Sequence, residues 1–315
     1  MSTVIATHGV CRIQELGVIR ATGADAATFL QSQLTNDIAS LSESQACLAG
    51  FCSAKGRLQA SFVVWRESAE SFVLVCSKDL LASTVKRLSM FVLRAKCRLS
   101  DASDEIALWG FAGATAATRL DGLVPWQCRA QSGQTIVRLP DSEGLVRTMV
   151  AASAADTSVP DGAPAFGLDA WRWLDVRSGI VTIVAATVDR FVPQMVNFEL
   201  VGGIDFQKGC YPGQEVVARS QYRGTTKRRT FLFECSAQPR VGDDVFASVG
   251  EGATGEAVGT VASSAAAPGV GNASALIEVR LGALGSGLRL GSASGPALQQ
   301  VELPYPVAIE AESAR

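Results

Sequence analysis

The sequence predicts an α+β protein followed by a separate C-terminal domain of short strands. Apolar residues recur with a period of two over most of residues 46–76, and an amphipathic helical pattern follows from Asp79 to Val92. This β-β-β-α-β order favours an antiparallel sheet with helices on one side. From Thr230 onward the chain is glycine-rich and divides into short alternating runs without helical periodicity. Such runs indicate a small β-barrel or sandwich, with a domain boundary near residue 225.

The elements of the first half follow from periodicity and from capping residues. Residues 12–20 alternate loosely and predict one strand, and Asp25 is a candidate N-cap for the helix that contains Phe29, Leu30 and Leu34. The polar residues that accompany this helix are either a wall that faces a ligand or a solvated face. Further predicted elements are strands at 46–52, 58–66, 70–76, 95–99 and 105–111, a helix capped by Asp79, a helix at 113–120, and a hairpin at 134–139 and 145–151.

A tryptophan-containing helix is predicted after the hairpin. Asp169 is its candidate N-cap, and Gly179 ends it. Trp171 and Trp173 provide two large flat surfaces within three residues. They suit either core packing or stacking on an aromatic ligand, and both interpretations stay open.

A cysteine in a glycine-flanked turn stands out in the run K-G-C-Y-P-G-Q-E-V-V-A-R, residues 208–219. Pro212 and Gly213 suit the two central positions of a type II turn, so Cys210 is predicted on a sharply bent loop. A short helix or an extended segment follows from Gln214. A helix amino end and the nearby Lys208 would favour the thiolate of Cys210. The alternative is a small buried cysteine packed beside two glycines.

Composition excludes several classes of protein. With 315 residues, 48% hydrophobic and 18% charged, the chain is globular and long enough for two or three domains. The net charge of −2 argues against wholesale binding to nucleic acid or to a membrane surface. The N-terminus lacks the pattern of a signal peptide, and the longest apolar runs are too short to span a bilayer, so we expect a cytoplasmic protein. The eight cysteines form no C-x-x-C pair, and the single histidine disfavours a catalytic triad or a metal site.

A local excess of positive charge follows the cysteine motif. Residues 208–229 contain six basic residues and one acid, a local net charge of +5. The basic residues of 219–229 are either an attachment site for an anion or tRNA, or a solvated edge.

Five stretches together give a resemblance to a known family. K-G-C-Y-P-G-Q-E at 208–215 resembles the signature of the YgfZ family, which comprises folate-binding proteins related to the T protein of glycine cleavage and to mitochondrial iron–sulfur assembly factors. Four other stretches agree with that family in the same order, at 29–37, 54–57, 177–180 and 191–197.

The resemblance implies a fold and a folate site. It implies two interleaved α/β units (about 1–45 plus 105–225, and 46–104), then a C-terminal barrel at 226–315, in a ring-like arrangement with tetrahydrofolate near the centre. The family's tryptophan partner for folate falls on Trp171. A second family tryptophan would fall at about position 16, which is leucine in this chain. Cys210 and Lys208 take the catalytic positions, and no metal is permanently bound. The other folate-binding positions that we infer from the matched stretches and their surroundings are Asp37, Gln33, Arg177, Tyr211, Gln214, Glu215 and Arg219.

Four functions compete at this stage. The first is a tetrahydrofolate-binding accessory protein for iron–sulfur cluster assembly or repair, including in tRNA-methylthiolating enzymes, whose partners are iron–sulfur enzymes or assembly proteins. The second is a folate-dependent aminomethyl or methyl transferase, which needs a carboxylate such as Asp37, Asp175 or Asp205 near the reacting nitrogen. The third is an RNA-binding module built on residues 219–229. The fourth, a cysteine hydrolase, lacks a usable histidine base.

Overall fold

The computed structural model describes residues 8–156, 163–222, 226–248, 255–269 and 271–308. Sixteen strands and five α-helices are found in these residues. The strands are β1 (Gly9–Arg12), β2 (Leu16–Thr22), β3 (Ala46–Cys52), β4 (Leu58–Ser68), β5 (Ser71–Ser77), β6 (Arg98–Asp101), β7 (Ile106–Ala112), β8 (Cys128–Gln131), β9 (Gln134–Ser142), β10 (Leu145–Ser153), β11 (Arg228–Cys235), β12 (Asp244–Ala247), β13 (Ala257–Ala266), β14 (Ala273–Arg280), β15 (Leu288–Leu290) and β16 (Gln299–Val301). The helices are α1 (Ala26–Gln33), α2 (Lys78–Ser89), α3 (Ala114–Ala117), α4 (Leu168–Arg177) and α5 (Gln214–Tyr222).

These strands form three antiparallel sheets. The first sheet has the order β1-β7-β10-β9-β8, the second β3-β4-β5-β2-β6, and the third β15-β12-β13-β14-β11-β16. Mostly antiparallel sheets with a few helices confirm the predicted α+β class. In the third sheet, the pairings of the described residues do not join β15 to β16, so it is an open curled sheet, half of the predicted barrel.

The second sheet is buried on both of its faces. Leu30 of α1 and Leu88 of α2 pack with Phe62 and Phe72 of the second sheet. The opposite face of that sheet packs on the first sheet and on α4, with Trp65 and Trp171 in one cluster. A further cluster joins the second sheet to α5 and the third sheet.

Several predicted strands agree closely with the structure. The prediction at 46–52 coincides with β3, and the predicted hairpin is β9–β10. Helix α4 begins at Leu168 with Gly167 as its N-cap, one residue before the predicted cap, and it ends before Gly179 as expected. In α2 the N-cap is Ser77, whose hydroxyl donates to Asp79 in the first turn.

Three sequence predictions were wrong in detail. The single strand expected at 12–20 is two strands, because β1 pairs with β7 of the first sheet whereas β2 pairs with β5 and β6 of the second. Residues 16–22 therefore share a sheet with residues 46–101, which differs from the grouping of 1–45 with 105–225; the domain limits themselves stay a prediction. The helix predicted to extend to Val92 is shorter in the structure. Helix α2 ends at Ser89, and Phe91 beyond it is 43% exposed. Strands β8 and β15 escaped prediction because each is short.

Candidate functional site

A central cavity of about 290 Å³ lies where the three sheets meet. Its walls come from β2 to β5 of the second sheet, from β9 and β10 of the first sheet, from α4 with residues 178–184, and from β13 of the third sheet. Apolar side chains such as Ile13, Phe62 and Met149 form much of the lining. A concave, mostly apolar space with a few polar groups is the usual form of a small-molecule site.

Trp171 forms part of the cavity wall and is held rigidly. Its side chain is 1% exposed, and the Arg147 guanidinium lies 4.8 Å from the centre of its ring. The indole packs directly on Gly110 of β7, where a Cβ atom would come within 2.6 Å of the ring. Only glycine at position 110 lets the indole approach the sheet so closely.

An ion pair between a buried arginine and a partly exposed aspartate supplies polar groups to the same cavity. Arg147 on β10 is almost fully buried, and its Nη2 lies 2.6 Å from Oδ1 of Asp175 on α4. Its Nη1 donates to the carbonyl of Leu174 at 2.7 Å, which fixes the guanidinium. Burial raises the pKa of the Asp175 carboxyl, and nearby Glu15 adds to this, while Arg147 opposes it. Asp175 is thus an oriented carboxylate in the wall of the cavity.

Two further residues of the cavity wall, Leu16 and Trp126, bear on the expected second tryptophan. Leu16, where the second family tryptophan falls, does line the cavity. A second indole reaches the cavity from Trp126, in the connection before β8. Trp126 has a φ of 66°, a conformation that is costly for a bulky residue and is often found at functional sites.

The cysteine loop lies in a different part of the molecule. Cys210 is exposed and is absent from the cavity lining. Gly213 has a φ of 79°, and the amide of Gln214 donates to the carbonyl of Tyr211 at 3.2 Å, as in the predicted type II turn. A Cβ at Gly213 would lie 2.4 Å from the carbonyl oxygen of Ser53, so this loop packs against the turn at 53–57. Gly209, by contrast, has no positive φ and open space around it.

Lys208 anchors the cysteine loop to helix α1. The Lys208 side chain is 8% exposed, and its Nζ donates to the carbonyl oxygens of Gln31 and Leu34, the latter at 2.5 Å. These carbonyls stand at the carboxyl end of α1, where a cation is favoured. Burial lowers the pKa of Lys208 to about 8, although Asp37 and Asp205 oppose the shift. Whether Lys208 also acts in catalysis stays a prediction.

The other predicted folate residues lie outside the lining of the central cavity. Asp37 lies near Lys208, and hydrogen bonds from Ser40 chiefly lower its pKa. Gln33 is buried in α1, and Tyr211 is buried beneath the cysteine loop. Gln214 starts α5, and Glu215 and Arg219 form an exposed ion pair on it. Arg177 belongs neither to the cavity lining nor to the cysteine loop. It pairs with Glu143 at 2.6 Å and with Glu234 at 3.3 Å.

The structure therefore separates the predicted site into a cavity and a surface loop. Trp171 is the one predicted folate residue that lines the central cavity. Arg147 and Trp126 were missed, because an arginine within a strand and a tryptophan in a loop carry no local pattern that marks them. The strong interaction of Arg147 with Asp175 joins two elements that are 28 residues apart in the chain.

The basic run after the cysteine motif is partly neutralised. Arg228 pairs with Glu278, and Arg229 pairs with Glu199. Arg223 lies outside the described residues. In the part of the chain that the structure describes, no three His, Cys, Asp or Glu side chains are grouped to hold a metal ion, and no helix is long and apolar enough to cross a membrane.

Comparison with known proteins agrees with the resemblance. The chain is 34% identical over 253 residues to the tRNA-modifying protein YgfZ of Edwardsiella ictaluri (strain 93-146), an alignment that covers 76% of each protein. The chain belongs to the YgfZ family. The family predicted from the five sequence stretches is thus confirmed.

Two further comparisons concern the fold of this YgfZ family member. Residues 1–135 match the family model of the GCVT N-terminal domain. The solved structure of the glycine cleavage system aminomethyltransferase T from Bartonella henselae matches with a TM-score of 0.68 and 18% sequence identity, covering 94% of this chain and 85% of that one. At this identity the likeness shows a shared fold.

Proposed function

We propose that the central cavity binds tetrahydrofolate. The observation that carries this proposal is an apolar cavity of about 290 Å³ with a rigid indole, Trp171, in its wall. A pterin is flat and aromatic, so it gains from contact with an indole and from an apolar lining. The GCVT N-terminal match and the fold of an aminomethyltransferase support the same ligand class. A ring-like arrangement of the predicted domains around this cavity is part of the proposal.

The polar groups of the cavity suit a pterin edge. Asp175 presents a carboxylate, which accepts hydrogen bonds from N–H groups of a ligand, and Arg147 holds it in place. Glu15 and Arg172 form a second pair in the lining, with 2.6 Å between Oε2 and Nε. These four side chains would orient the ligand, while the apolar walls exclude water.

For the biological role, we infer an accessory protein for iron–sulfur cluster assembly or repair. The support is Cys210, a thiol on an exposed loop that the contact of Gly213 with the turn at 53–57 and the buried Lys208 fix in position. One thiolate cannot hold a stable cluster, so contact with a cluster would be transient or shared with an iron–sulfur enzyme or assembly protein. The relative from Edwardsiella ictaluri is named a tRNA-modifying protein, which supports a link to tRNA modification. The cytoplasmic location expected from the sequence is part of the proposal. Direct attachment of tRNA through residues 219–229 is the weaker form of that link.

A second candidate is a folate-dependent aminomethyl or methyl transferase. Asp175 favours this candidate, because a carboxyl with a raised pKa in the cavity wall can donate a proton to a folate nitrogen or accept one from it. Purified protein that transfers the one-carbon unit of an S-aminomethyl thioether to tetrahydrofolate, giving methylene-tetrahydrofolate, ammonia and the free thiol, with loss of turnover in Asp175→Asn, would favour this candidate over the accessory role.

A fluorescence titration tests folate binding. Tetrahydrofolate should quench the intrinsic fluorescence of the wild type, and Trp171→Phe should raise the Kd about threefold to tenfold through loss of stacking area. Trp65→Phe is the matched control, because Trp65 is equally buried but lies outside the cavity lining. Equal affinity in wild type and Trp171→Phe would remove Trp171 from the site.

A complementation assay tests the accessory role. Cys210→Ala should keep its fold and its folate affinity but should fail to support iron–sulfur enzymes in cells that lack the protein. Cys97→Ala is the control, since Cys97 is a half-buried thiol outside the motif. Full support by Cys210→Ala would assign this cysteine a structural role only.

A further inference from the structure

The turn that follows helix α2 exposes three large apolar side chains. Met90 is 65% exposed, Phe91 43% and Leu93 88%. Val92, between two of them, packs instead against the core of the second sheet. Isolated exposed apolar residues are common on protein surfaces, whereas three within four residues are typical of an interaction surface. We call Met90, Phe91 and Leu93 the apolar tip.

The backbone presents the apolar tip at a conformational cost. Leu93 has a φ of 39°, in the left-handed region that glycine and asparagine adopt more easily than leucine. The turn is fixed where it returns to the sheet, because the amide of Lys96 donates to Oδ2 of Asp25 at 2.7 Å. A Cβ at Gly23 would lie 2.1 Å from the carbonyl oxygen of Lys96, so the two backbones are in close contact there. A strained leucine that faces water on a fixed turn gains nothing for the fold, which points to a function outside the chain.

Basic residues flank the apolar tip on both sides in the chain. Residues 86–98 contain five cations and no acid, and these are Lys86, Arg87, Arg94, Lys96 and Arg98. All five are exposed, and within the described ranges none of them forms an ion pair. The first two lie in the last turn of α2, where they also offset the helix dipole, whereas the other three lie beyond the helix. The later basic run at 208–229 differs, because three of its arginines pair with carboxylates.

The chemistry of this surface distinguishes among its possible partners. A second copy in a symmetric contact would bring the same five cations together, which is repulsive. Nucleic acid would match the cations, but Met90 and Leu93 have no aromatic ring on which a base could stack. An anionic lipid surface matches both parts, because apolar side chains enter the boundary between headgroups and acyl chains while Lys and Arg meet the lipid phosphates.

We propose that residues 86–98 form a peripheral binding surface for anionic lipid membranes. The apolar tip inserts at the level of the headgroups, and the flanking cations bind the anionic lipids around it. The cytoplasmic leaflet of membranes carries such lipids, and a cytoplasmic location is the one expected from the sequence. This inference does not depend on folate binding, since none of these residues lines the central cavity.

Co-sedimentation with vesicles of defined composition tests the inference. Vesicles of phosphatidylcholine with about 40% phosphatidylglycerol should bind the wild type in about 50 mM NaCl, whereas about 500 mM NaCl should release it. Vesicles of phosphatidylcholine alone should bind it far more weakly. The triple variant Arg94→Gln/Lys96→Gln/Arg98→Gln should lower the partition coefficient about a hundredfold, at about fivefold for each charge.

A matched control removes the same charge from other parts of the surface. Lys55, Arg240 and Arg280 are exposed, and Lys55 lies in the turn between β3 and β4, at the opposite edge of the second sheet from β6. Lys55→Gln/Arg240→Gln/Arg280→Gln should lower the partition coefficient less than about threefold, because charges far from the bilayer are screened by salt.

Leu93→Asn separates insertion of the apolar tip from folding. Asparagine tolerates the left-handed conformation, so the urea midpoint should stay the same or rise. Partition to anionic vesicles should nevertheless fall about threefold to tenfold, because an apolar side chain no longer enters the interface.

Four outcomes would overturn the inference. The first is a wild type that fails to bind anionic vesicles in low salt. The second is an equal loss of binding in the two triple variants, which would show unspecific attraction by charge. The third is full vesicle binding by Leu93→Asn, which would leave the apolar tip without a role. The fourth is binding of tRNA that the triple variant at 94–98 loses while its vesicle binding is unchanged, which would assign the surface to nucleic acid.

Discussion

The contact between Gly110 and Trp171 gives the sharpest structural prediction. In Gly110→Ala the new Cβ would lie 2.6–2.7 Å from three atoms of the indole benzo ring. Strand β7 cannot retreat easily, because Gly110 pairs with Cys11 on one side and with Met149 on the other. The indole must therefore move toward the cavity or the sheet must deform. Overpacking of this kind costs about 1–3 kcal/mol of unfolding free energy.

Urea denaturation and folate titration together measure this effect. Gly110→Ala should lower the unfolding free energy by that amount and weaken tetrahydrofolate binding, since the displaced indole occupies space in the cavity. Gly282→Ala is the control, because its Cβ would meet no atom within 4 Å. In a Trp171→Leu background, Gly110→Ala should cost far less, a coupling of about 1–3 kcal/mol in the double-mutant cycle. Equal costs in the two backgrounds would refute the steric argument.

Three other predictions concern the loop and the buried charges. Gly213→Ala should cost about 1–3 kcal/mol of unfolding free energy because of its positive φ and its contact with backbone, whereas Gly209→Ala should stay within about 0.5 kcal/mol; equal urea midpoints would contradict this. Burial raises the pKa of Asp175 above its ordinary 3.8, so the folded state holds that proton longer than the unfolded state does, and stability falls as the pH rises from about 4 through the folded pKa. Asp175→Asn should reduce this dependence in denaturation curves between about pH 4 and 7, and identical pH profiles would exclude the carboxyl as its source. Arg229→Met should cost about 3–5 kcal/mol because it leaves the buried Glu199 carboxylate unpaired, and adding Glu199→Gln should restore part of the loss in the same assay.

Local sequence patterns predicted many elements of the fold but not how the strands join sheets. The strand at 46–52 and the hairpin of β9 and β10 were predicted from short runs rich in apolar residues, and the structure buries both faces of these strands over most of their length. Residues 9–22 are similarly apolar, yet the chain changes sheets between β1 and β2. The strands that pair with a given strand come from distant parts of the chain, so the local period of two does not predict which strands they are.

Within the candidate site, the sequence by itself determined the turn at the cysteine and the family of the chain. Pro212 and Gly213 restrict the backbone so strongly that the bend follows from residue type alone. Only the tertiary structure decided that Trp171 lies in a cavity with Arg147, Asp175 and Trp126, and that Cys210 lies elsewhere on the surface. The physical reason is range: a turn is fixed by the steric limits of two adjacent residues, whereas a cavity forms where three sheets fail to fill the space between them.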